Sequence, residues 1–283
     1  MVRQDLYRHC LSVMEAADIP DSEFDTLCIF QDVLKDKMPL LLPYMNVEAE
    51  KEAVILEMVE RRISGMPLQY ILGEWEFWGL PIKVGEGVLI PRPDTETLVE
   101  DIIGIVRKTG MRSPKIADLC SGSGCIALAL KSEFPSADVY AVELSEKALS
   151  YLRQNIELNK SDINIITGDV LSTETAEMLT ELDIIASNPP YLTAQDMDEL
   201  QVEVQKEPET ALFGGNDGLD FYRAMTPLWR KSLKDGGYLC YEFGMGQEKD
   251  IEKILRENGF TDIKFSRDGG GIIRTVTARK TEV

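Results

Sequence analysis

The chain reads as an α/β protein: a doubly wound, mostly parallel sheet preceded by a small helical domain and a connecting β-hairpin. Three observations predict this. From about residue 94 onward, short β-branched runs alternate with segments of helical period, the pattern of a parallel sheet covered on both faces. Residues 1–66 carry helical periodicity alone. Between them, aromatic and branched residues flank Trp78-Gly79, which is a hairpin signal. The expected organisation is a helical domain over 1–66, a hairpin linker over 67–93 and the sheet domain over 94–283.

In the helical domain Leu6, Cys10, Val13, Met14 and Ala17 share one face, and Phe24, Leu27, Cys28, Val33 and Leu34 repeat the pattern with Ser22 as the cap between them. A third helix over 47–64 stops at Ser64-Gly65-Met66-Pro67. After the hairpin, a helix bearing Leu98, Val99, Ile102, Ile103 and Val106 leads to a strand at 115–119, a helix at 125–133 and a strand at 137–143. A helix from Ser145 to Asn159 and a strand at 163–167 follow. The strand at 183–188 opens a long loop to about 219, then a helix, a strand at 236–243, a helix, and closing strands around 263–266 and 272–278.

Composition narrows the function. With 44% hydrophobic and 28% charged residues in 283, the chain has the material for an ordinary globular core. No stretch of about 18 apolar residues exists to span a bilayer, and the opening MVRQDLYRHC lacks the apolar run of a signal peptide. A cytoplasmic protein with no membrane partner is expected. Cysteines 10, 28, 120, 125 and 240 form no C-x-x-C pair and His9 is the lone histidine, so no metal site is expected. The same scarcity argues against Ser-His and Cys-His hydrolases. A net charge of −19 opposes binding to a phosphate backbone, so no direct nucleic-acid partner is expected.

Two motifs carry chemistry. Asp118-Leu119-Cys120-Ser121-Gly122-Ser123-Gly124 follows a strand and opens a helix, the context in which a glycine loop lets backbone approach a ligand closely. Glu143, at the end of the next strand, is placed to hold a ribose diol. These residues alone fit either a nicotinamide or an S-adenosylmethionine (SAM) site. The second motif is Asn188-Pro189-Pro190-Tyr191, directly after an apolar strand. Two prolines fix the turn and remove two N–H donors, leaving acceptors on Asn188 and Pro189 for the hydrogens of a planar amino group, with the Tyr191 ring to lie on its face.

At this point the sequence resembles the HemK/PrmC family, the peptide chain release factor N5-glutamine methyltransferases. Besides Asn188-Pro189-Pro190-Tyr191, the resemblance rests on Ile90-Pro91-Arg92-Pro93-Asp94-Thr95-Glu96, the Gly65–Gly73 stretch, and Glu207-Pro208 with Ala211 to Gly215. Asp217-Gly218-Leu219, Gly236-Gly237 and Glu242-Phe243-Gly244 complete it. It implies a Rossmann-like class I SAM-dependent methyltransferase sheet. Asp118, Cys120, Ser121, Gly122, Ser123, Gly124, Glu143, Asp169, Val170 and Asn188 would hold SAM, and Asn188, Pro189, Pro190 and Tyr191 would be catalytic. It further implies a substrate glutamine in a Gly-Gly-Gln loop of a release factor, a helical domain that recognises this substrate, and a monomeric enzyme. The chain departs from the family where Cys120 replaces a glycine, Glu143 an aspartate, Asp94 a glutamate, and Val170 an aromatic.

The strongest rival is an adenine-N6 methyltransferase on nucleic acid, which shares the acceptor geometry but conflicts with the charge. Arg92 and Glu96 read equally as pocket residues or as helix-start chemistry, and the acidic run from Asp196 to Glu207 reads as a solvated face.

Overall fold

The computed structural model describes residues 1–281. The chain forms two compact units: the first is Met1–Glu74 together with Gln201–Lys206, and the second starts at Trp75, omits that segment and resumes at Glu207.

In the first unit α1 (Arg3–Ala16), α2 (Ser22–Leu34) and α3 (Ala49–Ile63) pack on one another, followed by the short α4 (Leu68–Leu72). Leu6, Cys10 and Met14 of α1 are buried as the periodicity predicts, against Ile29, Phe30, Ile55 and Val59. Tyr7 and Phe30 meet edge to face with ring centroids 5.3 Å apart. The core face of α2 is not the expected one. Ser22, Asp25, Thr26, Ile29 and Phe30 point inward, while Phe24 is 53% exposed. The reason is a buried ion pair: Arg62 Nε donates to Asp25 Oδ2 at 2.6 Å, so a carboxylate occupies the position that an apolar pattern would reserve for leucine. Ser22 is the first helical residue rather than the cap, and its hydroxyl donates to the Ile19 carbonyl at 2.5 Å.

The hairpin strands β1 (Glu74–Phe77) and β2 (Leu80–Lys83) come next, the second unit starting at Trp75 within β1. Trp78 and Gly79, at φ of 55° and 69°, are the two left-handed residues of the tight turn that joins them. After α5 (Glu96–Thr109) come β3 (Lys115–Leu119), α6 (Cys125–Glu133), β4 (Asp138–Glu143), α7 (Glu146–Leu158), β5 (Asn164–Thr167) and α8 (Thr173–Glu177). Then follow β6 (Leu182–Ser187), α9 (Ala194–Asp198), α10 (Asp220–Trp229), β7 (Leu233–Glu242), α11 (Glu248–Glu257), β8 (Phe260–Arg267) and β9 (Ile273–Lys280).

The seven-stranded sheet has the order β5-β4-β3-β6-β7-β9-β8, with β9 antiparallel to both its neighbours and the other pairings parallel. This is the expected doubly wound sheet. Its order reverses between β3 and β6, which pair from Ile116↔Ile184 to Leu119↔Ser187, and ligands bind beyond the carboxyl ends of strands at such a switch point. The core on one face holds Leu119, Val142, Ile185, Leu239 and Val276 from the strands against Tyr222, Met225 and Trp229 of α10. Among the described residues no helix is long and apolar enough to cross a membrane.

Candidate active site

The loop from β3 to α6 is built around one carboxyl. Asp118 is fully buried; its Oδ2 accepts from Ser121 Oγ at 2.6 Å and from the Ala127 amide at 3.2 Å. Burial pushes its pKa up to about 7, and its Oδ1 has no partner. The loop itself winds through left-handed backbone at Cys120 (φ 58°), Gly122 (φ 57°) and Gly124 (φ 83°). Cys120 is the strained member, because a Cβ in that region meets the following carbonyl. Burial, reinforced by the Glu143 charge, raises the Cys120 thiol far above the usual range, so it stays neutral.

Glu143 ends β4 and gathers backbone donors. Its Oε2 accepts from the Gly122 amide at 2.8 Å, and its Oε1 from the Leu144 and Ser145 amides at 2.9 and 2.7 Å. These bonds lock the glycine loop to the end of the neighbouring strand and fix one carboxylate at the mouth of the cradle. Asp169 Oδ1 caps its own turn, accepting from the Leu171 amide at 2.8 Å. Val170 is buried, and its carbonyl accepts from the Trp229 indole N–H at 2.7 Å.

The Asn188-Pro189-Pro190-Tyr191 turn leaves the end of β6. Asn188 Nδ2 donates to Thr95 Oγ1 at 3.3 Å, and no hydrogen bond among the described residues engages its Oδ1. Tyr191, expected to lay its ring on the acceptor, is also tied to the elements behind the turn. Its hydroxyl donates to Glu242 Oε1 at 3.4 Å, and its carbonyl accepts from Gln247 Nε2 at 3.1 Å. Gly214 packs on this turn so closely that a Cβ there would sit 2.6 Å from the Pro190 carbonyl oxygen. The segment in front is tied down by Glu207, 6% exposed, which accepts from the Ile90 amide at 3.0 Å and pairs with Arg92.

These elements enclose a cavity of about 660 Å³, with Ser121, Gly122, Glu143, Val170, Asn188 and Arg92 among its walls. That size suits a cofactor with a side-chain acceptor beside it. Among the described residues no His, Cys, Asp and Glu cluster could hold a metal.

Comparisons with known proteins bear on the family. A family described as PrmC N-terminal domain matches residues 5–73, and one described as Methyltransferase small domain matches residues 95–212. A release factor glutamine methyltransferase of Fusobacterium nucleatum is 40% identical over 281 residues, covering 98% of this chain and 78% of that one. Another, of Thermodesulfovibrio yellowstonii, is 35% identical over 284 residues and covers 99% and 97%. The chain belongs to the release factor glutamine methyltransferase family. Among solved structures, a methyltransferase from Pyrococcus furiosus shares the fold with a TM-score of 0.53 at 20% identity, covering 83% of this chain and all of that one.

Set against the residues expected from that family, the cavity wall contains Cys120, Ser121, Gly122, Ser123, Glu143, Asp169, Val170, Asn188 and Pro190. Asp118, Gly124 and Tyr191 stand behind the wall, and Pro189 lies between two residues of the lining, Asn188 and Pro190. Asp118 shapes the loop through Ser121 and Ala127, and Gly124 lets α6 begin against α7, where a Cβ would meet Leu152 Cδ1 at 2.4 Å. Residues missed by motif reasoning include Thr95, Leu144, Phe213 and Phe221, all in the wall. Thr95 and Phe213 lay inside strings already quoted, whereas Leu144, 59% exposed beside Glu143, carried no signal in the sequence. Of the ambiguous pair, Arg92 lines the cavity, while Glu96 Oε1 accepts from the Trp78 amide at 2.8 Å and serves the hairpin. The acidic run is no single solvated face: Thr193 and Asp196 form a capping box on α9, Glu203 pairs with Arg62, and Glu207 with Arg92.

Proposed function

We propose that this chain transfers the methyl group of SAM to the side-chain amide nitrogen of the glutamine in the Gly-Gly-Gln loop of peptide chain release factors. The observation that carries the reading is Asn188: a side-chain amide fixed by Thr95, with Oδ1 unengaged, in the wall of a cavity beyond the switch point.

The residues fit SAM. A backbone cradle at 120–123, one fixed carboxylate at Glu143 and apolar Leu144 and Val170 match a nucleoside with a ribose diol. Glu143 would hold the diol, Asp169 and Val170 would border the base, and the neutral Cys120 thiol adds no competing nucleophile. When bound, SAM supplies an electrophilic methyl group on a positive sulfonium.

An amide nitrogen is a poor nucleophile, so the protein must orient it. Asn188 Oδ1 would accept one of its hydrogens and the Pro189 carbonyl the other, turning its lone pair along the line of attack on the methyl carbon, whose bond to sulfur breaks to leave a neutral thioether. Both contacts strengthen as positive charge grows on nitrogen, the differential stabilisation that catalysis requires. The rigid prolines hold these acceptors in place without reorganisation. Tyr191 steadies the turn from behind through Glu242 and Gln247. The nitrogen sheds its proton after transfer, so no strong base is needed at the site.

The helical unit recognises the release factor, and its exposed Leu41, Leu42, Tyr44 and Met45 are the apolar surface it offers. The enzyme acts as a monomer in the cytoplasm, in translation termination. The test is transfer of label from SAM to a purified release factor, beside the same factor with its Gly-Gly-Gln glutamine changed to alanine and a DNA control. Label on the intact factor alone is expected; label on DNA overturns the reading. Asn188→Ala is expected to abolish transfer while SAM still binds.

A further inference from the structure

We propose that Glu242 is a positioning residue for this reaction: its carboxylate anchors the Thr95 and Tyr191 hydroxyls and thereby fixes the Asn188 amide with Oδ1 toward the acceptor nitrogen. The inference rests on the function proposed above and goes further in tying Glu242 to the Asn188 amide itself.

Glu242 is the last residue of β7, one step past the Ser187↔Tyr241 pair, and so lies beside the start of the Asn188 turn. It is 1% exposed, and its Oε2 has no partner. A buried carboxyl with an orphaned oxygen is costly, and a glutamine or leucine would be less so. Thr95 supplies the link. It is 2% exposed, and its hydroxyl accepts from Asn188 Nδ2. A hydroxyl has one hydrogen of its own to give. The Thr95 hydroxyl stands near enough to Glu242 to favour the ionised carboxyl, as does the Tyr191 hydroxyl. In the proposed arrangement the unpartnered Glu242 Oε2 is the acceptor for the Thr95 hydrogen, so donation runs one way: Asn188 Nδ2 to Thr95, Thr95 to Glu242. This leaves Oδ1 as the end of the amide presented to the substrate.

The charged and titratable groups around Glu242 come from every neighbouring element. Tyr191 faces it from the turn after β6, Asp94 from the turn before α5, Arg274 from β9, and Cys125 from α6; Tyr222 of α10 donates to its backbone carbonyl at 2.8 Å. Burial is the largest influence and raises its pKa to about 7; Asp94 adds to the rise, while Thr95, Arg274 and Tyr191 oppose it. Below that pH the carboxyl carries a proton that needs an acceptor. The Thr95 oxygen is the nearest in chemistry, and giving it that proton competes with Asn188 and frees the amide to turn.

The test uses the full chain and two readouts. The first is the side-chain amide NMR signal of Asn188 in the substrate-free protein, followed from about pH 5.5 to about pH 9. The wild type is expected to titrate near pH 7, and Glu242→Gln and Thr95→Val to show no such titration. The second is kcat with saturating SAM and release factor. Wild-type kcat is expected to rise through the same pH range, and both variants to lose that rise and fall about 10- to 100-fold, with SAM affinity kept. Thr95→Val keeps the shape of the side chain and serves if Glu242→Gln does not fold. Asp118, also near pH 7, belongs to the SAM cradle and is read in SAM affinity rather than in kcat. Either variant keeping the wild-type titration and kcat overturns the proposal. Should the release factor stay unlabelled while the Asn188 signal still follows Glu242, the substrate assignment falls and the positioning role stands.

Discussion

Replacing Arg62 by leucine tests the least expected feature of the helical unit. Arg62 is 4% exposed and donates through Nε to Asp25 and through Nη2 to Glu203 Oε1 at 2.5 Å. Arg62→Leu leaves the Asp25 carboxylate, itself 4% exposed, without a counterion. Removing one partner of a buried pair costs about 3–5 kcal/mol. Glu203 adds little, since its side chain is 34% exposed and turns to water. In a domain of about 60–100 residues each kcal/mol lowers Tm by about 4–8 °C, so the unit's transition should fall by at least about 12 °C. The pH dependence has a definite sign. Burial holds the Asp25 pKa above its ordinary value and Arg62 opposes that rise, so without Arg62 it climbs further. A raised native pKa means that the folded state binds the proton more tightly, so the deficit of Arg62→Leu shrinks as pH falls into the carboxylate range. The double variant Asp25→Leu/Arg62→Met should recover most of the loss, because an apolar pair of similar volume tolerates the same burial. The assay is urea unfolding of the whole chain with hydrogen exchange read in α1 to α3. An Arg62→Leu protein within about 1 kcal/mol of wild type, or a double variant no better than the single, refutes the reasoning.

Other outcomes follow from the second unit. Asp118 and Glu242 both have native pKa values raised to about 7, so the stability they contribute is present below the ordinary carboxylate range and is lost as pH rises through 7; Asp118→Asn should flatten that slope in urea titrations. Cys120→Val places a β-branched side chain at φ 58° and should cost about 2 kcal/mol by thermal unfolding, whereas Cys120→Gly should be at least as stable as wild type. Trp229→Phe removes the donor to the Val170 carbonyl and should cost about 1–3 kcal/mol, with weaker SAM binding by calorimetry; unchanged affinity would separate α10 from the cofactor wall.

What the sequence revealed, and what it hid, divides along physical lines. The β3–α6 loop and the Asn188 turn were legible because their glycines and prolines dictate backbone, and backbone dictates where a strand's end can hold a ligand. The Trp78-Gly79 hairpin was legible for the same reason. The inward face of α2 was hidden because Asp25 owes its burial to Arg62, 37 residues away, and no local pattern reports a distant counterion. The bond from the Tyr191 hydroxyl to Glu242 was hidden because its acceptor is a buried carboxyl 51 residues on. Likewise the acidic run looked solvated until Arg62 and Arg92, both far upstream, were seen to take two of its members.

The segment Gln201–Lys206 makes the first unit discontinuous in sequence. Because it belongs with Met1–Glu74, the backbone passes between units at 74/75, again at 200/201, and again at 206/207. Val202 rests where a Cβ on Gly65 would come within 2.6 Å of it, and Glu203 clasps Arg62. A protein shortened to begin at Trp75 would therefore not be the second unit set free. It would carry a six-residue loop stripped of the surface it lies on, ending one residue before the glutamate that anchors Ile90 and Arg92. Exchanging the helical module between relatives demands a graft at two places, since a crossover at the first junction alone leaves residues 201–206 from the other parent.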